Sequence, residues 1–270
     1  MVILTKMIFQ LRFKMRFITR NSFWLFLPLL LSAQDLVTDR PDHTESATTL
    51  PWRSMQVETG ILYEYDQVKR GLLITENSTL ALATTLIRYG ITRKIELRLG
   101  GQIDFQRVTE SGITNSYNGL AGLYVGTKIQ LHKERRNLPG AALLIGANLP
   151  IGNKEIAPDK VEPDIILAAE NTLSDQLSLG YNLGTVIING SDVNLLYSAS
   201  LGIALGRRLG AFVELYGYKE KAGDPNLLFD WGLTFLVQRN VQLDTSVGVA
   251  LTEDAADWFL NAGFSFRLPR

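Results

Sequence analysis

The chain has 270 residues with 27 basic and 27 acidic side chains, and 46% of its residues are hydrophobic. This balance excludes the class of proteins that bind nucleic acid through a surplus of Lys and Arg. The sequence has no cysteine, which excludes disulfides, thiolate catalysis, Cys-ligated metals and a lipidated cysteine anchor. Its mean hydropathy is only +0.07, and no run of about 18 apolar residues predicts a transmembrane helix.

The first 33 residues differ from the rest of the chain. Residues 6–20 carry basic side chains and no acidic ones, and a short apolar run follows at residues 23–31. This run is too short to span a bilayer and contains Pro28, and small residues come just before Gln34. These features predict a signal peptide over residues 1–33, cleaved after Ala33, with Met15 as an alternative start. A buried N-terminal helix is the other interpretation.

A two-residue alternation of large apolar and small or polar side chains runs from about residue 53 to the end. Leu97 and Leu99, for example, alternate with Glu96 and Arg98. Because successive side chains of a strand point to opposite faces, each such segment predicts a strand with one apolar face. The predicted strands are 54–66, 78–90, 94–107, 118–132, 139–150, 164–173, 176–188, 193–206, 209–218, 226–238, 240–251 and 257–268.

The connections between these twelve segments form two alternating sets. One set is short, at residues 92–93, 132–138, 174–175, 207–208 and 239–240. The other is longer and polar, as at residues 108–117, 153–163 and 219–225. An even number of antiparallel strands with short periplasmic turns and longer extracellular loops is typical of a transmembrane β-barrel. We therefore predict an all-β, twelve-stranded barrel over residues 53–270, with both chain ends on the periplasmic side.

A soluble sandwich or lipocalin-like barrel would also show alternating strands, with its apolar side chains inside. Here the face opposite the large residues is small and polar, as in Gly180, Asn182 and Gly184. Such a face suits a curved lumen wall in which glycine keeps space open. Aromatic residues near strand ends suit interfacial girdles, and they are Tyr65, Tyr89, Trp231, Trp258 and Phe266. The membrane barrel is therefore the preferred prediction.

Three stretches carry a family resemblance. Residues 38–51 read TDRPDHTESATTLP, residues 86–98 contain LIRYGIT and IELR, and residues 123–131 contain GTK. They resemble a family of outer-membrane transporters named for the meta-pathway of phenol degradation. The resemblance implies a barrel in the outer membrane of a Gram-negative bacterium. It also implies uptake or efflux of small solutes, hydrophobic or aromatic ones included.

Residues 34–52 are predicted to be an N-terminal segment before the barrel, because residues 38–51 hold five charged or titratable side chains and two prolines and cannot form a lipid-facing strand. We expect this segment to tuck into the periplasmic mouth or lumen, with Arg40 paired to a carboxylate. A loose, solvated periplasmic tail is the alternative. The residues that define the N-terminal motif are Thr38, Asp39, Arg40, Pro41, Asp42, Glu45 and Ser46.

Charged residues on the small, polar face are the candidates for lining the lumen. They are Glu58, Glu64, Arg88, Glu96, Arg98, Asp104, Lys128, Glu214, Asp230, Asp244 and Arg267. Their mixed signs fit either a polar lining that a solute passes or a network of internal salt bridges that holds the barrel shut. Eight strands leave an interior filled by side chains and sixteen leave an aqueous channel, so twelve predict a narrow pore.

Neither histidine is well placed for catalysis on lipid at the outer rim. His132 lies in a predicted periplasmic turn, and His43 lies in the N-terminal segment. We expect no catalytic residues, no metal site and no cofactor, although His43 with Asp42 and Glu45 could hold a cation. Three functions stay open: a small-molecule channel, a closed structural or adhesive barrel, and a lipid-modifying enzyme. The expected partners are outer-membrane lipid, a small solute and the barrel-assembly machinery.

Overall fold

The computed structural model describes residues 36–70, 73–220, 225–252 and 255–269. The predicted signal peptide, residues 1–33, lies outside these described residues. Within them the chain forms twelve β-strands. These are β1 (Met55–Arg70), β2 (Leu73–Gly90), β3 (Ile95–Glu110), β4 (Ile113–His132), β5 (Gly140–Leu149), β6 (Glu162–Thr172), β7 (Leu177–Ile188), β8 (Asp192–Ala204), β9 (Leu209–Lys219), β10 (Asn226–Gln238), β11 (Val241–Ala250) and β12 (Trp258–Leu268). In the same described ranges, no helix is long and apolar enough to cross a membrane.

The twelve strands form one closed antiparallel barrel in which every strand pairs with its neighbours in sequence. The barrel closes between β1 and β12, where pairing runs from Met55 with Leu268 to Tyr65 with Trp258. Closure satisfies the backbone hydrogen bonds of both edge strands, which a spanning structure needs in lipid. The predicted twelve-stranded barrel is confirmed.

The two faces of the barrel wall differ as the alternation predicts. On β12 the side chain of Leu260 is 53% exposed, whereas its neighbour Asn261 is 9% exposed. Arg88 and Lys128 are fully buried on the inward face. A soluble barrel would bury its large apolar side chains and expose its charges. The opposite distribution here is that of a membrane barrel with a polar interior.

Most strand ends lie within a few residues of their predicted positions, but the first two hairpins are longer than expected. The prediction of a polar loop over residues 108–117 is wrong, because only Ser111 and Gly112 separate β3 from β4. Both turn residues have positive φ, 51° and 83°, which suits a two-residue hairpin turn. Above the membrane a strand does not need an apolar face, so polarity alone does not mark a loop. The hydroxyls of Thr109 and Thr114 pair across this hairpin at 3.0 Å.

The barrel has two ends, named here after the predicted orientation. The end called periplasmic carries the connections 91–94, 133–139, 173–176, 205–208 and 239–240. The extracellular end carries connection 150–161, which folds back against β4. There the Asn153 amide donates to the carbonyl of Leu120 at 2.9 Å, and its side chain donates to the carbonyl of Asn118 at 2.8 Å.

Candidate functional site

Residues 36–51, called the luminal segment below, run through the barrel interior without pairing as a strand. Ala47 and Leu50 are 0% and 2% exposed. The segment makes hydrogen bonds to side chains of β1, β2, β3, β4, β6, β7, β8, β9, β11 and β12. It therefore contacts the wall on all sides of the lumen.

Asp39 is the centre of these contacts. Its carboxylate accepts from Lys128 at 2.8 Å and from Arg98 at 2.7 Å, and it lies 2.9 Å from Arg88. Its backbone amide donates to Glu58 at 2.9 Å. Burial raises the pKa of Asp39, but the three neighbouring cations lower it more. The pKa of Asp39 is therefore held well below its ordinary value. Asp39 is therefore an anion that ties the segment to three cations of the wall.

These groups belong to a seven-residue ion cluster. Arg88 lies 2.9 Å from Glu58 and 2.8 Å from Glu96. Arg98 lies 2.7 Å from Glu45. The cluster holds three cations and four carboxylates, namely Arg88, Arg98, Lys128, Asp39, Glu45, Glu58 and Glu96. With one carboxylate in excess, such a cluster favours taking up one proton.

Arg40 makes the second anchor of the luminal segment. Its guanidinium donates to Asp244 at 3.1 Å and to Asn261 at 2.7 Å, on β11 and β12. It also donates to Thr84 of β2 at 3.1 Å. A Cβ added at Gly60 or at Gly263 would lie 2.8 Å from the guanidinium carbon, so both positions require glycine for this close approach.

A second acidic group lies on the other side of the segment. Glu214 accepts from the backbone amide of His43 at 2.7 Å and from the hydroxyl of Thr44. The His43 ring stacks on Tyr216 with centroids 3.9 Å apart. The fully buried carboxyl of Asp230 lies beside that of Glu214. The pKa of Asp42 is raised well above its ordinary value by burial and by the Glu214 carboxylate.

Two wall residues outside the set of predicted lumen candidates also hold the segment. Glu170 of β6 accepts from the amide of Ala47 at 3.1 Å and from the hydroxyl of Thr48 at 2.8 Å. Asn182 of β7 accepts from the amide of Glu45 at 2.6 Å and donates to its carbonyl at 3.0 Å. Glu170 lies on the inward face of β6, so the alternation of that strand could have identified it as a lumen residue.

All eleven predicted lumen candidates lie on the inward face of their strands. Seven of them contact the luminal segment or join its ion cluster, namely Glu58, Arg88, Glu96, Arg98, Lys128, Glu214 and Asp244. Asp104 instead accepts from Gln102 at 2.9 Å. The carbonyl of Arg267 accepts from Asn240 at 3.0 Å near the periplasmic end. Glu64 is half-buried and Asp230 fully buried.

Aromatic side chains inside the barrel were not expected. Phe212 and Phe259 are 6% and 2% exposed on the inward face. A Cβ at Gly232 or at Gly248 would collide with their rings. At these two positions aromatic rings fill the space that glycine leaves. The alternation did place Phe259 among the polar, inward residues, so this signal was present.

The luminal segment lies between two cavities. The periplasmic cavity, about 540 Å³, is lined by Pro41, Thr44 and Phe212 and by residues 174–176. The extracellular cavity, about 600 Å³, is lined by Arg40, Tyr124, Ile156 and Pro158. Both volumes fall within the range of small-molecule sites, roughly 300–1,000 Å³. The segment therefore separates two spaces that could each hold one small solute.

Glu45 makes the docking of the segment sensitive to pH. Burial raises its pKa to about 7, against the opposing effect of Arg98 and with a contribution from the Asp39 carboxylate. Because the docked state binds this proton more tightly than a solvated carboxyl does, docking gains stability as the pH falls from about 7 towards 4.5. Burial lowers the pKa of the His43 ring from 6.5, which acts in the opposite direction at pH values below 6.5. The low pKa of Asp39 does so at still lower pH.

We therefore expect the segment to release more readily at pH 8 than at pH 5.5. Single-channel recording of the reconstituted protein should show a higher open probability at pH 8. Glu45→Gln removes the proton uptake and should reduce this difference, with the remainder set by Asp42 and His43. A Glu155→Gln control in the extracellular connection should keep the wild-type response. An equal response to pH in wild type and Glu45→Gln would contradict the role of Glu45 in the pH dependence.

A closed twelve-stranded barrel with an apolar outside and a charged interior is an outer-membrane β-barrel. The chain belongs to the family described as "Putative MetA-pathway of phenol degradation", whose model matches residues 38–268. No curated protein matches the chain at a significant level.

Two solved structures show the same fold. The COG4313 outer membrane channel from Pseudomonas putida F1 aligns with a TM-score of 0.60 and 13% identity, over 86% of this chain and 100% of that one. The translocator domain of the autotransporter NalP from Neisseria meningitidis aligns with a TM-score of 0.52 and 10% identity, over 79% of this chain and 88% of that one. At these identities the likeness concerns the fold alone.

Proposed function

We propose that the protein is an outer-membrane channel for small solutes, hydrophobic or aromatic ones included, and that the luminal segment closes it. The observation that carries this proposal is how the segment is held. Its contacts to the wall are made by side chains rather than by a backbone ladder. It can therefore leave the lumen without breaking a strand pair of the barrel.

The cavities support a small solute. Each has room for a molecule of one or two aromatic rings, and each combines polar groups with apolar walls. Leu177, Ile203 and Phe212 contribute apolar surface to the periplasmic cavity, while Leu86, Ile156 and Pro158 do so in the extracellular cavity. A mixed lining of this kind binds aromatic molecules with a polar substituent. Membership of a family named for phenol degradation is consistent with this class of solute.

The number of internal ion pairs favours the closed, structural barrel as the second candidate. Buried pairs such as Arg88–Glu58 cost desolvation and serve mainly to specify packing. Uptake by whole cells separates the two candidates. Cells that carry the protein should take up a labelled monoaromatic hydrocarbon faster than cells without it, while lactose uptake should change little. Identical hydrocarbon uptake in the two strains would contradict the channel.

We propose no catalytic role. His43 lies in the lumen, stacked on Tyr216 and with its edge towards Phe259, and His132 ends β4 at the periplasmic end. An enzyme acting on lipid needs its histidine at the lipid-facing rim. Cells with the protein and cells without it should have the same lipid composition if the protein has no catalytic role on lipid.

We also propose export through a signal peptide, residues 1–33, followed by insertion with the barrel-assembly machinery. The mass of the protein purified from outer membranes should then correspond to a chain that begins at Gln34. A mass that includes residues 1–33 would contradict the cleavage.

A further inference from the structure

Exposed cations surround the end of the barrel that is called periplasmic. Arg53 lies just before β1, and the connections 91–94 and 205–208 carry two basic residues each. The connection 133–139 carries three more, and the connection 239–240 carries one. All nine side chains are exposed. This set of nine is called the cation ring below.

Neighbouring carboxylates do not balance this charge. In the described connections of the same end, the exposed acidic side chains are Glu134 and Asp175. Glu134 accepts from the amide and the hydroxyl of Thr172, at 2.6 and 2.7 Å. Among the described residues, no member of the cation ring forms a salt bridge. The described connections of the opposite end hold two basic and four acidic residues, so the excess of positive charge belongs to one end.

The cations lie at the edge of the lipid-facing band. Leu205 and Leu209 are exposed, and they flank the turn that holds Arg207 and Arg208. The amide of Leu205 donates to the carbonyl of Leu209 at 3.0 Å, which keeps this turn close to the barrel wall. Long basic side chains lay their apolar stems along such a surface while their charged groups reach the headgroups. The cation ring is therefore at headgroup level.

Trp52 and Arg53 mark the same level of the membrane. The guanidinium carbon of Arg53 lies 4.3 Å from the centroid of the exposed Trp52 ring, which is an attractive cation–π arrangement. The amide of Arg53 donates to the carbonyl of Gly90 at 2.8 Å, so the pair lies beside the connection 91–94. Tryptophan prefers the interface between headgroups and hydrocarbon. An aromatic ring and several cations thus meet at one point of this interface.

Two features favour a lipid partner over a protein partner. The connections 91–94 and 205–208 lie on opposite sides of the closed ring of twelve strands, so the cations surround the barrel. A protein would contact one sector of this circumference, whereas lipid surrounds all of it. In addition, seven of the nine cations are arginines. The planar guanidinium group binds phosphate through two parallel hydrogen bonds.

We propose that the cation ring binds the phosphate groups of anionic phospholipids in the leaflet around this end of the barrel. In an outer membrane the phospholipids lie in the periplasmic leaflet, so the predicted orientation brings the ring and these lipids together. Clusters of basic residues at a membrane edge attract anionic lipids in this way. The bound lipids hold this end of the barrel at headgroup level. The inference does not depend on which solute the channel carries.

Trp52 provides a reporter for lipid at the cation ring. Trp24→Phe, Trp231→Phe and Trp258→Phe leave it as the one tryptophan of the chain. This reporter protein is refolded into phosphatidylcholine vesicles that contain brominated phosphatidylglycerol or, in a parallel series, brominated phosphatidylcholine. Bromine quenches tryptophan fluorescence at close contact, so the ratio of the two quenching curves measures which lipid lies beside Trp52. Heat-modifiable migration on gels checks that each barrel is folded.

Phosphatidylglycerol should be preferred at Trp52 by roughly fivefold, the factor for one Lys or Arg at an anionic surface. Molar salt screens charges beyond about 3 Å and should lower this preference. Arg93→Gln with Lys94→Gln should lower it by a factor of about two or more, because these cations lie beside the reporter. The matched control is Arg207→Gln with Arg208→Gln. It removes the same charge on the far side of the barrel and should leave the ratio unchanged.

Equal quenching by the two brominated lipids would overturn the proposal. A similar loss of preference in the control variant would also overturn it, because the lipid would then respond to the net charge of the protein rather than to a site. A third result would assign the cations to an acidic polymer and overturn the lipid site as well. This result is cosedimentation with purified peptidoglycan that depends on the cation ring, without a preference between the two lipids.

Discussion

Replacing residues 36–50 by a Gly/Ser sequence of the same length is expected to open the barrel. The luminal segment fills the middle of the lumen through side-chain contacts such as Lys128–Asp39 and Arg40–Asp244. Without these contacts the two cavities of about 540 and 600 Å³ can join into one water-filled path. A twelve-stranded wall leaves room for such a pore, so conductance in planar bilayers should rise on the order of tenfold.

The replacement has a matched control. Keeping the native segment but making Ser111→Asn in the exposed turn between β3 and β4 leaves all luminal contacts in place and should leave conductance unchanged. Deleting residues 36–50 altogether should open the barrel as the replacement does. Conductance equal to wild type in both altered proteins would show that the segment does not limit flow.

Arg88→Met is expected to be the most destabilising single substitution in the ion cluster. Arg88 is fully buried, and it lies within 2.9 Å of Asp39, Glu58 and Glu96. Its removal leaves three buried carboxylates short of a counter-ion. Breaking a buried ion pair in this way costs about 3–5 kcal/mol. Urea unfolding of the lipid-inserted protein, followed by tryptophan fluorescence, measures the change in the free energy of unfolding.

Arg107→Met is the control for this substitution, because Arg107 is exposed on the same sheet, on β3. Its effect should stay within about 0.5 kcal/mol. Adding Glu96→Gln to Arg88→Met should recover part of the lost stability, since it removes one of the uncompensated charges. If Arg88→Met lowers the free energy of unfolding by less than about 1 kcal/mol, then Asp39, Glu58 and Glu96 do not need Arg88 as their counter-ion.

The lumen candidates show how far the sequence reaches into the site. Because alternation is a property of neighbouring residues, it places Glu58, Arg88 and Glu96 on the inward face without knowledge of the fold. It cannot say that Arg88 lies between Glu58 and Glu96, because this depends on the register of β1 with β2 and of β2 with β3. The register is a property of strand pairs, and one strand alone does not contain it.

The register shifts within the β2–β3 and β3–β4 pairs show a sequence signal that was present but overlooked. Large residues occupy even positions at Leu80 and Leu82 and odd positions at Ile87 and Tyr89. This change of phase across Ala83–Thr85 indicates a bulge. Its counterpart on β4 is marked by Gly119 and Gly122, both with positive φ. That the two bulges lie side by side is again a consequence of register.

The sequence by itself determined the class of this protein: twelve strands, their two faces and their order. These follow from local alternation, which the chain carries in every segment. Only the tertiary structure decided that Asp39 meets Lys128, 89 residues away, and that Arg40 meets Asp244, 204 residues away. The physical reason is that closing the barrel brings distant strands around one interior. Which charges lie close together there depends on the whole ring.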